Sequence, residues 1–206
     1  MTKIKFCGLT RSADIEAVNE IKPDYIGFVF VADRRRYIPP DKAAELKQKL
    51  ISQIKAVGVF INEAPSLVAQ LLNQNIIDIA QLHGDENDDY IQSLRKLTDK
   101  PIIKAFKIKT KEDIEALEKC SADYVLLDSG TGTGKIFDWQ LVQNVKRPYF
   151  LAGGLNISNI EDALQHLQPF AVDLSSGIET EGFKDKTKMA AFAAIVKNNE
   201  RKKKHD

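Results

Sequence analysis

Cysteine is scarce in this sequence, and long apolar runs are missing. The chain contains only two cysteines, Cys7 and Cys120, and their separation fits neither a disulfide framework nor a metal-binding motif. The sequence has no apolar signal core near its start and no run near the roughly 20 residues of a membrane span. We therefore expect a soluble cytoplasmic protein without a metal site.

Net charge is also small, with a formal value of +1 for the whole chain. The last six residues hold four basic residues and one acidic residue, a net charge of +3, which leaves −2 for residues 1–200. Binding of nucleic acid through Arg201–Lys204 is the alternative from another functional class, but a short charged terminus is usually solvated. We expect one domain over residues 1–199, a disordered basic tail over residues 200–206, and no nucleic-acid partner.

What the sequence does contain is a regular alternation of short apolar runs with helix-period segments. The runs are rich in β-branched residues and start about 20–30 residues apart, the length of one βα unit. They cover residues 4–6, 25–30, 56–61, 79–82, 102–106, 124–127, 149–151 and 171–174. Helix start signals stand between them, among them a capping-box pattern from Thr110 to Asp113.

Eight such units predict an α/β fold, a single-domain (β/α)8 TIM barrel. Closure of the barrel removes the two edges that an open parallel sheet of eight strands would leave, although a doubly wound sheet is the alternative. The least certain helix is the segment around Asp138–Val142. In such barrels the residues just past each strand meet at one mouth, so functional side chains are sought there.

Cys7 and Asp128 follow the first and sixth predicted strands. By residue type alone, Cys7 would be a small buried core residue, and Asp128 would brace a loop. Across a barrel, however, these two strands lie close enough for Cys7 and Asp128 to flank one small substrate. One side chain could then take a proton while the other gives one.

Glycine-containing pairs follow the seventh and eighth strands, Gly153-Gly154 after the seventh and Ser176-Gly177 after the eighth. Either pair alone would be explained about as well by a tight turn. Together, in the two loops that usually hold phosphate in such barrels, they predict a phosphate-binding site built from backbone N–H groups.

Other polar residues at the predicted mouth are suited to substrate binding. One arginine of Arg34–Arg36 could hold a carboxylate, or all three could form a solvated loop. Gln81 and His83 lie on one side of an extended segment and could bind sugar hydroxyls, or His83 could pack at the mouth. Asp173 faces the barrel interior, where a carboxylate needs partners or a ligand, and we interpret it as a hydroxyl acceptor.

The glycine-rich stretch Gly130–Lys135 suggests a nucleotide site but does not match one. A P-loop would need glycine where Ser129 stands and serine or threonine where Ile136 stands. We interpret this stretch as a flexible lid over the mouth.

Over residues 3–197 the chain resembles the phosphoribosylanthranilate isomerase family. The matching segments are KFCGLT, GFVF with Arg36-Tyr37, GVFIN, QLHGDE, LLDSGTGTGKIFDW, LAGGLN and DLSSGIE. The resemblance implies a cofactor-free Amadori rearrangement in tryptophan biosynthesis, which converts N-(5-phosphoribosyl)anthranilate to 1-(2-carboxyphenylamino)-1-deoxyribulose 5-phosphate. The implied partner is this small phosphosugar-anthranilate substrate, and the assembly is expected to be a monomer or a weak homodimer.

The resemblance also implies roles for individual residues. Asp128 matches the family's general acid and Cys7 its general base, while Arg36 aligns with the arginine that binds the anthranilate carboxylate. The phosphate loops match Gly153-Gly154 and Ser176-Gly177, and Gln81, His83 and Asp173 match further family positions. The alternative enzyme is another phosphosugar isomerase or epimerase, but those relatives generally use carboxylates in place of the first-strand cysteine.

The ionisation of Cys7 is the open part of this mechanism. A free thiol with a pKa near 8.5 is only about 3% thiolate at pH 7, so we expect either a lowered pKa or a pH-dependent rate. Lys5 lies on the same side of the strand but one step away, so we do not expect its ammonium to assist.

Overall fold

The structure is a computed structural model that describes residues 1–128, 139–143 and 145–202, without the side chains of residues 139, 140 and 200–202. The glycine-rich stretch Gly130–Lys135, interpreted above as a lid, lies outside the described residues, as do residues 203–206 of the basic tail. Among the described residues, no helix is both long and apolar enough to cross a membrane.

Eight parallel strands form a closed barrel in the order of the sequence, which confirms the predicted fold. The strands are β1 Lys3–Cys7, β2 Tyr25–Val29, β3 Lys55–Phe60, β4 Ile79–Leu82, β5 Ile102–Lys107, β6 Tyr124–Asp128, β7 Tyr149–Ala152 and β8 Ala171–Leu174. Each apolar run of the sequence corresponds to one of these strands, because a strand covered by helices outside and packed inside the barrel is apolar on both faces.

Helices follow the strands. They are α1 Ser12–Ile21, α2 Pro40–Gln48, α3 Pro65–Asn73, α4 Asp88–Arg95, α5 Lys111–Lys119, α6 Trp139–Val142, α7 Ile160–His166 and α8 Lys186–Lys202. The shortest predicted segment, near residue 139, is a helix over the four described residues Trp139–Val142. The last helix runs through Lys202, so residues 200–202 belong to α8 rather than to a separate tail.

The start of α5 shows how local sequence sets a helix boundary. Asp113 accepts a hydrogen bond from the backbone N–H of Thr110 at 2.9 Å, so the predicted capping box is present. A short 3-10 turn, Ser176–Ile178, and a hairpin of β9 Glu179–Thr180 with β10 Phe183–Lys184 precede α8. The sequence patterns did not predict this hairpin, whose strands have two residues each.

Aromatic side chains close the end of the barrel at which the strands begin. Phe150 packs with its ring centroid 5.4 Å from that of Tyr25 and 6.0 Å from that of Tyr124, and the Phe170 ring lies 5.3 Å from that of Tyr124. Lys3 covers this cluster, with its Nζ 4.8 Å from the Phe170 ring centroid. This end is filled, so polar chemistry is confined to the opposite mouth.

Candidate active site

A cavity of about 350 Å³ lies at the mouth, where the strands end. It brings together nine of the ten site residues predicted from the sequence. These are Cys7, Arg36, Gln81, His83, Asp128, Gly153, Gly154, Asp173 and Ser176. Residues from β1, β4, β6 and β8 and from the loops after β2 and β7 thus share one surface, as the barrel topology requires.

Cys7, the last residue of β1, is a buried free thiol. It pairs in register with Gly27 of β2, where an added Cβ would lie only 2.6 Å from the Cys7 sulfur. Gly27 therefore makes room for the thiol. Burial raises the pKa of Cys7, although the positive charge of Lys5 opposes this shift. The expected lowering of the pKa is therefore wrong, while the pH-dependent rate stays a prediction.

The position of Lys5 differs from the expectation that its ammonium would not assist the thiol. It is fully buried, and its Nζ lies 2.7 Å from Asp173 Oδ2 on β8, directly across the β1–β8 pairing. Burial alone would lower the pKa of Lys5, but the charge of Asp173 and then that of Cys7 raise it, so the ammonium persists. The positive charge of Lys5 lowers the pKa of the Cys7 thiol, against the effect of burial.

Asp173 has one oxygen engaged and one available. Its Oδ1 is buried and has no hydrogen-bond partner among the described residues, while Oδ2 accepts from Lys5. A buried carboxylate oxygen without a donor is costly, so this atom is suited to accept a hydrogen bond from a ligand hydroxyl. This agrees with its interpretation as a hydroxyl acceptor.

Gln81, His83 and Asp128 form a chain of hydrogen bonds on the opposite wall. Gln81 Nε2 lies 2.9 Å from His83 Nδ1, and His83 Nε2 lies 3.2 Å from Asp128 Oδ2. With the Gln81 amide donating, His83 carries its proton on Nε2 and donates to Asp128. The side chains of His83 and Asp128 are 25% and 22% exposed, so a substrate can reach this pair from the mouth.

Among the three consecutive arginines, Arg36 is the one that lines the cavity with Cys7 and Asp128. Its Nε and Nη2 donate to the two carboxylate oxygens of Glu179 at 2.6 and 2.9 Å. This bidentate pair occupies one edge of the guanidinium and fixes its plane. The side chain of Arg35 also reaches Glu179 but is 59% exposed, and Arg34 borders a neighbouring cavity with His83 and Lys107.

Glu179 and Lys184 line a neighbouring cavity and support the site through Arg36, and the sequence reasoning assigned neither a role. Lys184 Nζ donates to Glu179 Oε1 at 2.7 Å and to the Ser175 carbonyl at 2.8 Å. Burial would raise the pKa of Glu179, but hydrogen bonds from Arg36 and Lys184 lower it to about 2. The sequence signal for this role was Glu179 itself, at the end of the SSGIE segment. A glutamate directly after a predicted phosphate loop needs a positively charged partner, and the Arg34–Arg36 cluster could have been considered for it.

The loop after β7 has the backbone geometry of an anion site. Gly153 and Gly154 both adopt positive φ angles, 87° and 69°, which glycine tolerates without strain. The Gly154 carbonyl accepts hydrogen bonds from the side chains of Asn156 and Asn159 at 3.2 and 3.0 Å. The carbonyl is thus held within the loop, which leaves backbone N–H groups for the cavity.

Gly177 has a different place from the other predicted loop residues. It is not among the residues that line the cavity, and an added Cβ there would be only 2.1 Å from the Leu155 carbonyl oxygen. The absence of a side chain at Gly177 allows the loops after β7 and β8 to touch. Gly177 thus shapes the pocket through packing.

The fold and the mouth together define a class, a (β/α)8-barrel enzyme whose cavity brings a thiol and a carboxyl group together with a glycine loop. In the described residues, no group of three or more histidine, cysteine or carboxylate side chains is arranged to hold a metal ion.

Comparisons with known proteins identify the family. The model of the N-(5'-phosphoribosyl)anthranilate isomerase family matches residues 4–194. An isomerase of that name from Thermoanaerobacter sp. (strain X514) is 44% identical, over 96% of this chain and 98% of the relative. The phosphoribosyl anthranilate isomerase of Thermotoga maritima superposes with a TM-score of 0.87 at 33% identity, over 96% of this chain and 100% of the other.

A further solved structure is that of such an isomerase in complex with reduced 1-(o-carboxyphenylamino)-1-deoxyribulose 5-phosphate. It has a TM-score of 0.85 and 32% identity, and the match covers 96% of this chain and 100% of that chain. The chain belongs to the N-(5'-phosphoribosyl)anthranilate isomerase family, and it is an isomerase.

Proposed function

We propose that this chain converts N-(5-phosphoribosyl)anthranilate to 1-(2-carboxyphenylamino)-1-deoxyribulose 5-phosphate, with Asp128 as general acid and Cys7 as general base. The observation that carries the proposal is the position of Cys7 and Asp128 on opposite walls of one cavity that also contains the loop glycines. The reaction rearranges bonds within one molecule, so an acid and a base suffice for the proton transfers.

Asp128 acts first in this mechanism. Its carboxylic acid protonates the ribose ring oxygen, the C1′–O bond breaks, and the ring opens to a Schiff base with the anthranilate nitrogen. His83, 3.2 Å from Asp128 Oδ2, orients the carboxyl group. Because Asp128 is partly exposed, the sugar ring can approach it without displacing the core.

Cys7 acts second. Its thiolate removes the proton from C2′ of the Schiff base, and the electron pair of that bond moves toward nitrogen to give an enolamine. The enolamine then becomes the ketone as O2′ loses its proton and C1′ gains one, so the product is an isomer of the substrate. A general base of this kind contributes about 10²–10⁴ to the rate.

Three groups of residues hold the substrate. Gly153, Gly154 and Ser176 offer donors for the phosphate, a role supported by the positive φ angles of the two glycines. Arg36 receives the anthranilate carboxylate on the part of its guanidinium that Glu179 does not occupy. The ribose hydroxyls bind to Asp173 Oδ1 and to Gln81, whose Oε1 is also buried without a partner among the described residues.

The decisive experiment is an assay with freshly prepared phosphoribosylanthranilate. We expect the anthranilate-type fluorescence of the substrate to disappear in the presence of the protein and a metal chelator. A chromatographic standard of the product identifies what is formed. No turnover above the uncatalysed rate would contradict the proposed function, and the Cys7→Ala variant serves as the matched control.

The assembly and the location of the protein remain predictions. We propose a monomer or a weak homodimer in the cytoplasm. Sedimentation velocity over a hundredfold range of protein concentration tests the assembly. A stable dimer at the lowest concentration, or a larger oligomer, would contradict it.

A further inference from the structure

A buried lysine that the mechanism does not use lies next to the cavity, paired with Asp173 of the cavity lining. Lys5 lies two residues before Cys7 on β1, so both side chains point to the same face of the strand. Lys5 has no exposed surface, and a buried ammonium is expensive unless charged or polar groups compensate it.

We propose that Lys5 is a positioning residue for the general base: Asp173 holds its ammonium beside the Cys7 sulfur, where its charge stabilises the thiolate. The inference rests on the proposed role of Cys7 and names the group that makes that role workable in a buried site. Lys5 itself does not touch the substrate in this arrangement.

The geometry of two paired strands fixes the ammonium. Lys5 and Asp173 are register partners in the parallel β1–β8 pair, and their side chains meet at 2.7 Å inside the barrel. Lys5 has three N–H donors, and Asp173 Oδ2 accepts one of them. The ammonium therefore has N–H donors beyond the one that Asp173 accepts, and it belongs to the same face of β1 as the buried thiol.

Other charged groups also face Cys7, and they are engaged differently. Lys184, from β10, donates to Ser175 O, Ser175 Oγ and Glu179 Oε1, which uses its donors, and it reaches Cys7 through charge alone. Arg36, after β2, is turned toward Glu179. The negative charge of Asp173 opposes the thiolate. On the opposite wall the charged or titratable groups are His83, Lys107 and Asp128.

Burial explains why the thiol needs this assistance. Removal from water disfavours the thiolate and raises the pKa of Cys7, and among the groups that oppose this shift Lys5 has the largest effect. Without the ammonium, desolvation and the charge of Asp173 would both act against ionisation. The thiolate fraction at a given pH should therefore fall when the Lys5 charge is removed.

The chain offers a matched control in a second buried pair. Lys104 on β5 lies with its Nζ 2.9 Å from Glu86 Oε2, and both side chains are buried. This pair has the same chemistry as Lys5 and Asp173 but does not act on the pKa of Cys7. Its neutralisation thus reports the general consequences of losing a buried ion pair.

The test measures the thiol directly and without substrate. In a Cys120→Ala background Cys7 is the sole cysteine, so the rate of alkylation by iodoacetamide against pH gives its pKa. We compare Lys5→Met, Lys5→Arg and the double variant Lys5→Met/Asp173→Asn with the control Lys104→Met/Glu86→Gln. The double variant removes both charges, so it provides a folded protein if Lys5→Met alone leaves Asp173 too unstable.

We expect Lys5→Met to raise the pKa of Cys7 by about one unit or more, since an opposite charge in contact commonly shifts a pKa by one to three units. The double variant should also raise it, because the charge of Lys5 affects the thiol more strongly than the charge of Asp173. Lys5→Arg should lie closer to the parent protein. In every variant that turns over, the limb of the kcat–pH profile that is set by Cys7 ionisation should shift in the same direction as the pKa of the thiol.

An unchanged or lowered pKa in the folded Lys5 variants would overturn the proposal, as would an equal shift in the Lys104/Glu86 control. A pKa for Lys5→Arg as high as that for Lys5→Met would also overturn it, because charge would then not be the cause. These outcomes are separate from the proposed function, since alkylation requires no turnover. An inactive protein with the expected pKa shifts would contradict only the assigned reaction.

Discussion

The two walls of the cavity differ in the burial and the charged neighbours of the groups proposed to transfer protons. The wall with the proposed general base, built from β1 and β8 and backed by the β9–β10 hairpin, surrounds a buried thiol with Lys5, Asp173 and Lys184. The wall with the proposed general acid, built from β4 and β6, contains Asp128, which is partly exposed and bonded to His83. The base is thus surrounded by fixed charges, whereas the acid is reached from the mouth and is hydrogen-bonded to a histidine.

The difference follows from the charge that each group must carry. A thiol becomes a base only by gaining negative charge, and in a buried place that charge requires a fixed cation. A carboxylic acid is neutral when it donates its proton, so a hydrogen bond and access to the sugar ring are sufficient. Two of the buried cations, Lys5 and Lys184, thus lie where their charge favours the anion that must form.

Removal of either reacting group is expected to give the largest effect. Cys7→Ala and Asp128→Asn should each lower kcat by about 10²–10⁴, the usual contribution of general acid–base catalysis. Both changes keep the side-chain volume close to that of the original, so circular dichroism should show an intact fold. Near-parent kcat in either variant would remove that residue from the mechanism and end the comparison between an acid wall and a base wall.

The sequence predicted the barrel well because eight apolar runs repeated at the spacing of βα units. It also located the mouth, since residues past the strand ends must converge when such a barrel closes. Cys7, Asp128 and the glycines at 153 and 154 were found by this rule alone. These residues stand at positions that the topology singles out.

The charged partners were not predictable in the same way. Lys5 was dismissed because strand geometry gives the direction of a side chain but not where a flexible four-carbon chain ends. Glu179 and Lys184 lie in a hairpin whose strands are too short to show a periodic pattern. Their contacts depend on how the loops after β2 and β8 fold against each other, which is a property of tertiary packing.

Glu179 should make the base wall sensitive to acid. Its folded pKa of about 2 lies below the ordinary 4.5, so the stabilisation is present above pH 4.5 and is lost as pH falls toward 2. This linkage corresponds to about 3 kcal/mol of unfolding free energy. Denaturant unfolding at several pH values should therefore show a steeper acid loss for the parent protein than for Glu179→Gln.

A suitable control for this measurement is Glu45→Gln. Glu45 forms an exposed ion pair with Lys42 on α2, and pairs of that kind contribute little to stability. Its removal should leave the acid dependence of the parent unchanged. Identical acid dependence in Glu179→Gln and the parent would show that the Glu179 cluster does not stabilise this wall.

A substitution of Arg36 should test whether the wall that contains Cys7 also binds the carboxylate of the substrate. In Arg36→Lys the charge remains, but the planar fork that faces both Glu179 and a carboxylate is lost. We expect KM to rise by about tenfold, in the lower part of the range for hydrogen bonds to charged groups, with a smaller change in kcat. Arg35→Lys, at an exposed neighbour, is the control and should leave KM unchanged. A larger effect from Arg35 would transfer the role to that residue.

Neutralising the basic end of the chain should have the smallest effect, because the described part of α8 leads away from both walls. Helix α8 starts after the hairpin at the mouth and runs toward the opposite end of the barrel, where Lys197 Nζ lies 3.4 Å from the carbonyl of Ile21 at the end of α1. We expect the variant with Gln at positions 201–204 to keep the parent kcat and KM, since charge at that distance is screened by solvent and salt. This variant keeps the length of α8, so any change can be assigned to charge. A large loss of turnover would mean that the electrostatics of the site extend beyond its two walls. If the parent protein binds to heparin and the substitutions abolish that binding, the nucleic-acid alternative would be favoured.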